Sequence, residues 1–370
     1  MKSSVFQNLF VLELANNHWG NIDRGIKIIR EFGSIVKHNN VKAAIKFQIR
    51  DVNNFIHKDF KDHKSRYIQK TIATKMTFED YKKMADEVIN VGCIPMATPF
   101  DESSVDMCVD LDFPIIKIAS SDANDWPLIE KVSSTKKPVI VSNGGLSEKD
   151  LDDLVKFFEN RSIPLAINHC VSLYPSEDNE LNLDQIDYLR ARYPNNIIGF
   201  SSHEYHDWSN SMIISYAKGA RTWERHIDID YEGDEWSDKK ISPYCTSPKN
   251  ANTWFQAYHK ATDMCGGVAE QKRVITVKET KYLDELVRGI YARKNIPRGT
   301  IITSENFLDL FYLAIPLRKG QLSCREIING EKVTNDIEAE KPLTIEDVDG
   351  PYNSSQDLKK MINERGFDPS

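Results

Sequence analysis

The sequence predicts a (β/α)8 barrel with a small second domain, on three observations. Short apolar runs of strand length alternate with amphipathic stretches of helical period over roughly 250 residues. Polar residues gather just after the ends of those runs, where barrel enzymes keep their active sites. After Ala269 the pattern changes to a charged helix and then to a turn-rich segment. A chain of 370 residues is also too long for one small core and fits a large domain plus a smaller one.

The elements follow in order. Leu9 to Leu14 is apolar apart from Glu13, as a strand buried on both faces should be, and a helical pattern from Asp23 to Val36 succeeds it. Ala43 to Phe47 is the second strand, with Lys46 and Gln48 at its end. Residues 51 to 76 interrupt the alternation with Asn53-Asn54, His57, Lys58, Asp59, Lys61 and Arg66, and read as a long loop on the catalytic face, either a lid or a peripheral insertion. A helix from Thr77 to Asn90 restores it. The remaining strands are Ile94 to Ala97, Ile115 to Ile118, Val139 to Val141, Leu165 to Ile167, Ile197 to Phe200 and Arg221 to Trp223, with helical patterns at 148–158, 183–192 and 210–218. No Gly-x-Gly-x-x-Gly turn follows the first strand, which argues against a doubly wound open sheet.

Beyond the barrel, Asn295 to Thr300, Arg318-Lys319-Gly320 and Asn329-Gly330 punctuate short β-like runs. The expected organisation is a barrel over 1–270, a helical linker over 271–288, a small domain over 289–350 and a polar, frayed or peripheral tail over 351–370.

The formal net charge of −7 gives no basic field of the kind that draws in nucleic acid or anionic lipid. No apolar stretch approaches a membrane span, and Met1 to Leu12 lacks the features of a secretory signal, so a cytoplasmic protein is expected. The six cysteines include no Cys-x-x-Cys pair and read as reduced and mostly buried.

Two segments carry the chemistry. Gly199 to His203 and Trp223 to His226 each place a histidine where a buried strand gives way to a loop. In a closed barrel the seventh and eighth strands are neighbours, so His203 and His226 can share a divalent first-row metal such as manganese, cobalt, iron or zinc; structural histidines are the competing reading. His206 is a rival ligand. Lys46 and Lys117 end strands two and four, and two ammonium groups at a barrel mouth invite a carboxylate or phosphate. Gln48, Ser120, Ser142, Ser172 and Ser201 add neutral donors, although each serine alone also suits a turn. Glu13, Asp122, Glu224 and Asp238 supply carboxylates that can orient a polyol, act as a base or support a histidine ligand. Beyond Lys46 and Lys117, no extra basic cluster near these segments demands a phosphate on a second substrate.

Taken together, the segments resemble the N-acetylneuraminate (sialic acid) synthases and their bacterial relatives that make legionaminic and pseudaminic acids. The resemblance spans about Leu9 to Asp347 and rests on motifs in family order: Glu13 with Asn17-His18-x-Gly20, Lys46-Phe47-Gln48, Thr98-Pro99-Phe100-Asp101, Lys117-Ile118-Ala119-Ser120, His169-Cys170-Val171-Ser172-x-Tyr174-Pro175, Ser201-x-His203 and Glu224-x-His226. It implies a C-terminal antifreeze-like (SAF, β-clip) domain beginning near Ala292 to Thr300 and a domain-swapped homodimer.

The resemblance further implies a metal-dependent transferase that condenses phosphoenolpyruvate with an N-acyl hexosamine, giving a nine-carbon 2-keto acid and phosphate. His203 and His226 would hold the metal, manganese first and magnesium or cobalt as alternatives. Lys46, Gln48, Thr98, Lys117, Ser120, Ser142, Ser172 and Ser201 would cradle phosphoenolpyruvate, while Asp122, Tyr174, Asp238 and Arg318 would face the sugar. Glu13 would orient the aldehyde or the attacking water. Departures from the family pattern at Ser172, Ser202, Asn143 and Ser121-Asp122 touch the sugar side. The alternatives are another phosphoenolpyruvate-dependent sugar acid synthase and a non-catalytic sugar-binding homologue.

Overall fold

Eight parallel strands hydrogen-bond in sequence order and close on themselves in the computed structural model, which describes residues 4–230, 241–266 and 272–368. The strands are β1 (Leu9–Ala15), β2 (Lys42–Ile49), β3 (Ile94–Pro99), β4 (Ile115–Ile118), β5 (Val139–Ser142), β6 (Leu165–Cys170), β7 (Ile197–Ser201) and β8 (Thr222–His226), and β1 pairs with both β2 and β8. The fold is the expected (β/α)8 barrel. Among the described residues no helix is long and apolar enough to cross a membrane.

The alternation of strand side chains explains both cores. Leu9, Val11, Ala44, Met96, Ile115, Ile140, Ala166 and Ile197 form one cluster with Phe6, inside the barrel. The residues between them, such as Phe10, Leu12, Ile45, Phe47, Ile116, Val139, Val141 and Ile167, join the larger cluster under the helices. One further step of two residues along each inward row reaches Glu13, Lys46, Thr98, Lys117, Ser142 and Asn168, so the same rows that fill the barrel floor with apolar groups turn polar at the C-terminal end. Gly199 is needed for closure, since a Cβ there would lie 1.9 Å from Thr222 Oγ1 and 2.2 Å from Asn168 Oδ1.

The helices that wrap the strands begin where capping chemistry permits. In chain order the first is α1 (Ile22–Asn39), capped by the Asn21 side chain on Arg24 N. Then come α2 (Val52–Phe55), α3 (Arg66–Ala73) and α4 (Phe78–Asn90), the last opened by a Thr77–Asp80 capping box. Residues 51–76 are therefore two α-helices and a 3-10 turn at Lys58–Phe60, not the structureless loop that their polar composition predicts. Further round lie α5 (Glu102–Asp110), α6 (Trp126–Ser134), α7 (Glu148–Asn160), α8 (Gln185–Arg192), α9 (Asn210–Ala217) and α10 (Pro248–Cys265).

The chain divides into two compact units, 1–269 and 270–370. The second holds α11 (Val277–Asp284), an antiparallel pair of β9 (Gly289–Ala292) and β10 (Phe311–Ala314), and the short helices α12 (Phe307–Leu310), α13 (Pro351–Ser354) and α14 (Gln356–Glu364). Its small sheet and turn-rich path are compatible with the expected antifreeze-like domain. The tail departs from expectation: Ile362 on α14 is buried in this unit's own core, and Arg365 Nη2 pairs with Glu326 Oε2 at 2.6 Å. Its polar composition hid one apolar stripe.

Behind β7 and β8, Arg225 is fully buried and donates to Thr246 Oγ1 at 3.0 Å, to Ser202 Oγ at 3.1 Å and to the carboxylate and carbonyl oxygens of Glu204. This network pins the loop that carries His203. A buried pair left with one charge is strongly unfavourable, so Glu204→Ala should lower unfolding free energy by about 3–5 kcal/mol in denaturant titrations. A loss below about 1 kcal/mol would mean the arginine finds water or another acceptor.

Candidate active site

The barrel register assembles the site. Glu13 lies opposite Lys46 on β2 and opposite His226 on β8, Gln48 faces Thr98, and Ser201 faces Glu224. Residues separated by two hundred positions in sequence thus become neighbours at one end of the barrel. They line a cavity of about 520 Å³.

At its floor two lysines share carboxylates. Lys46 Nζ contacts Glu13 Oε2 and donates to Thr98 Oγ1 at 2.8 Å, while Glu224 Oε1 receives Lys46 at 3.3 Å and Lys117 at 3.2 Å. All four charged groups are buried. Burial pushes the Lys46 ammonium down to about 7, with Glu224 opposing and Lys117 and Arg50 reinforcing the shift. Burial pushes the Glu224 carboxyl up, but Lys117 and Lys46 together hold it below its ordinary value. Glu13 Oε1, Glu224 Oε2 and Ser142 Oγ are buried with no hydrogen-bond partner. Polar atoms in that state are rare unless a ligand or water completes them.

Beside this floor the rings of His203 and His226 lie 5.6 Å apart, with the Tyr174 ring tilted 39° to His203 at 3.9 Å and Tyr244 at 5.2 Å from His226. Burial lowers His203 to about 4 and His226 well below 6.5, the latter also through His203 and Lys46. Both imidazoles are neutral near pH 7. His203 Nδ1 lies 3.0 Å from the Val171 carbonyl oxygen, which only accepts, so the single ring proton sits on Nδ1 and Nε2 keeps its lone pair. Two neutral imidazoles with one tautomer fixed in this way fit a divalent cation. Among the described residues no group of three or more His, Cys, Asp or Glu gathers to hold a metal, so such an ion would draw its remaining ligands from water and substrate.

Of the residues singled out in the sequence, Glu13, Lys46, Gln48, Thr98, Lys117, Ser120, Ser142, Ser172, Tyr174, Ser201, His203 and His226 all line this one cavity. Gly144 makes room for two of the serines, since a Cβ there would lie 2.2 Å from Ser172 Oγ and 2.9 Å from Ser120 Oγ. Asp122 is not in the lining; its carboxyl accepts from Ser121 Oγ at 3.0 Å, and burial pushes it up to about 6. His206 is exposed and bonds Glu177 at 3.0 Å, away from the cavity. Arg318 belongs to the second unit, where its backbone N–H donates to Gln321 Oε1 at 2.9 Å. Asp238 lies outside the described residues.

Sequence reasoning placed Glu224 near the site without seeing that it bridges two lysines, and it missed Arg50, Tyr67, Lys70, Thr71 and Tyr244 in the lining. The signal for three of them was present. Tyr67, Lys70 and Thr71 are spaced i, i+3 and i+4, one face of a helix.

A closed barrel whose strand ends surround buried lysines, carboxylates and paired neutral imidazoles has its polar groups gathered where barrel enzymes keep their active sites. The NeuB family model matches residues 36–269, and the chain belongs to that family. It is 24% identical to human N-acetylneuraminate-9-phosphate synthase over 365 residues, covering 92% of each chain. It is 27% identical to a pseudaminic acid synthase of Campylobacter jejuni over 306 residues, covering 80% of this chain and 84% of that one. Among solved structures, a protein from Chromobacterium violaceum named for spore coat polysaccharide biosynthesis superposes with a TM-score of 0.85 at 31% identity, over 93% of this chain and all of the other.

The tautomer assignment has a direct check. In histidine-labelled, metal-free protein, His203 should remain a neutral Nδ1–H imidazole at pH 6 and titrate near pH 4 by nuclear magnetic resonance. Protonation near the ordinary value of 6.5 would contradict it.

Proposed function

We propose that this chain condenses phosphoenolpyruvate with the open-chain aldehyde of an N-acyl hexosamine, either mannosamine-like or a di-N-acetyl-trideoxyhexose, to give a nine-carbon 2-keto acid and phosphate. The observation that carries the reading is the pair of buried lysines bridged by Glu224 beside two neutral imidazoles. Membership of a family with synthases among its relatives supports it.

In this reading Lys46 and Lys117 hold the carboxylate and phosphate of phosphoenolpyruvate, with Gln48, Thr98, Ser120, Ser142, Ser172 and Ser201 as neutral donors. The unpartnered Ser142 Oγ is a donor without a present use. His203 and His226 hold a divalent metal, manganese first, which supplies Lewis acidity toward the aldehyde oxygen when bound. Glu13, held through one oxygen by Lys46, keeps its other oxygen for the aldehyde or the water. Tyr174, and with it Asp238 and a small-domain Arg318 from the partner of a domain-swapped homodimer, belong to the acceptor side of the same proposal.

The alkene carbon of phosphoenolpyruvate bonds to the aldehyde carbon, and positive character develops at the carbon bearing phosphate. Water adds there and becomes the keto oxygen. One of its protons goes to the new alkoxide, the other leaves with phosphate, and the Glu13 carboxylate is placed to carry it between them.

Three outcomes are expected. Manganese-loaded protein should release phosphate from phosphoenolpyruvate only with an N-acyl hexosamine present, and His226→Ala should abolish release. Binding of phosphoenolpyruvate without release for every acceptor would favour the non-catalytic reading, and turnover on arabinose or erythrose phosphate would favour another sugar acid synthase. Glu13→Gln should cut kcat by about 10²–10⁴, and full turnover by that variant would remove Glu13 from the chemistry. Because free Lys46 loses its proton as pH rises through about 7, and an anion prefers the ammonium form, kcat/KM for phosphoenolpyruvate should fall tenfold per pH unit above that value. A flat profile from pH 6 to 9 would show that Lys46 stays charged throughout.

A further inference from the structure

The two histidines are braced from behind, and the braces meet at one residue outside the cavity. On the His203 side, Ser202 Oγ and Glu204 Oε1, from the residues flanking the histidine, accept from Arg225 Nη1 at 3.1 Å and 2.5 Å. Arg225 immediately precedes His226 on β8, so its guanidinium crosses from the strand of one histidine to the loop of the other. On the His226 side, the Thr246 N–H donates to the His226 carbonyl oxygen at 2.7 Å, and the Asp228 N–H donates to the Thr246 carbonyl oxygen at 3.2 Å. Between those two bonds, Asn17 Nδ2 holds the Ile227 carbonyl oxygen at 2.8 Å.

The side chain of Thr246 joins the two braces. Its Oγ1 accepts from Arg225 Nε at 3.0 Å and from Trp208 Nε1 at 3.1 Å, and the residue is fully buried. Each of these nitrogens carries a single proton, and a hydroxyl oxygen has two acceptor sites, so both donors are satisfied and both sites are filled. Thr246 is thus tied by its backbone to His226 and by its side chain to the guanidinium that holds the His203 loop. Removing the hydroxyl would strand two buried donors at the point where the braces meet, and such donors are costly to leave unmade.

We infer that Thr246 sets the spacing of the His203 and His226 imidazoles and so makes them one ligand pair. It is a positioning residue, since it does not line the cavity. The inference rests on the metal reading of the two histidines for its consequence but not for its geometry. Ligand side chains of a metal site must be held to within about 0.5 Å, and the groups that orient them are worth about 10–100-fold in metal affinity.

The test uses Thr246→Val, which keeps the shape and removes the acceptor, and Thr246→Ser, which keeps the acceptor. In metal-free crystals the two ring centroids, 5.6 Å apart in the parent protein, should shift by about 0.5 Å or more in Thr246→Val and stay in place in Thr246→Ser. In calorimetry with manganese(II) alone, Thr246→Val should bind about tenfold or more weakly, and Thr246→Ser should bind as the parent does. Val155→Ala, in the core under α7 and outside the cavity lining, loses stability without touching either brace and should keep the parent's affinity. If Thr246→Val does not fold, Arg225→Lys takes its place with the same expectation, because it keeps a charge beside Glu204 and gives up the Nε link. An unchanged ring spacing overturns the inference, as does an equal loss of manganese affinity in Val155→Ala. A parent protein that binds no manganese would count against the metal reading, while the crystal comparison would still decide the role of Thr246.

Discussion

The burial of two lysines at the mouth of the barrel is the constraint from which the rest of the site follows. An ammonium removed from water costs several kcal/mol unless a counter-charge is close, and Lys46 and Lys117 stand above an inner cluster of apolar side chains drawn from β1 to β7. Glu13 and Glu224 meet that need from β1 and β8, the two strands that close the barrel. Closure and charge balance are therefore one event: the pairing that makes the barrel continuous also delivers the carboxylates. An incompletely closed barrel would leave Lys117 without Glu224, while Lys46 would keep only Glu13 on the adjacent β1.

The same register places the imidazoles. Glu13 stands between Lys46 and His226, and the Val171 carbonyl after β6 fixes the tautomer of His203 after β7. The loop bearing His203 is held from behind by Arg225 and Glu204, a buried pair on the outward-facing side of β7 and β8. Geometry at the mouth thus depends on a polar network that touches no cavity residue except through the backbone. Such a network is expensive to break, and that rigidity suits a site whose groups must stay within tenths of an ångström of one another.

Strand identity, barrel closure and most of the floor were legible because they rest on short-range signals: continuous apolar runs, a two-residue alternation, and a polar residue one step past each run. Lys46 and Lys117 fall near the ends of their runs, and His203 and His226 lie three residues past theirs. What was illegible depended on direction or on long range. Asp122 follows a strand like the others, but it sits on a 3-10 turn at Ser120–Asp122 and stays out of the lining. Residues 51–76 read as loop because α3 is only eight residues long, too short to show a clear helical period among its mixed polar and apolar residues. Ile362 on α14 was hidden the same way, one buried residue among charged neighbours.

The two ends of the cavity also differ in how ready they are. At the floor each lysine already holds a carboxylate, so an incoming anion must displace or share existing contacts, and part of its interaction energy goes into rearranging Glu13 and Glu224. At the mouth Arg50 is held against the Phe100 ring and by Gln48 Oε1, and its buried Nε has no hydrogen-bond partner.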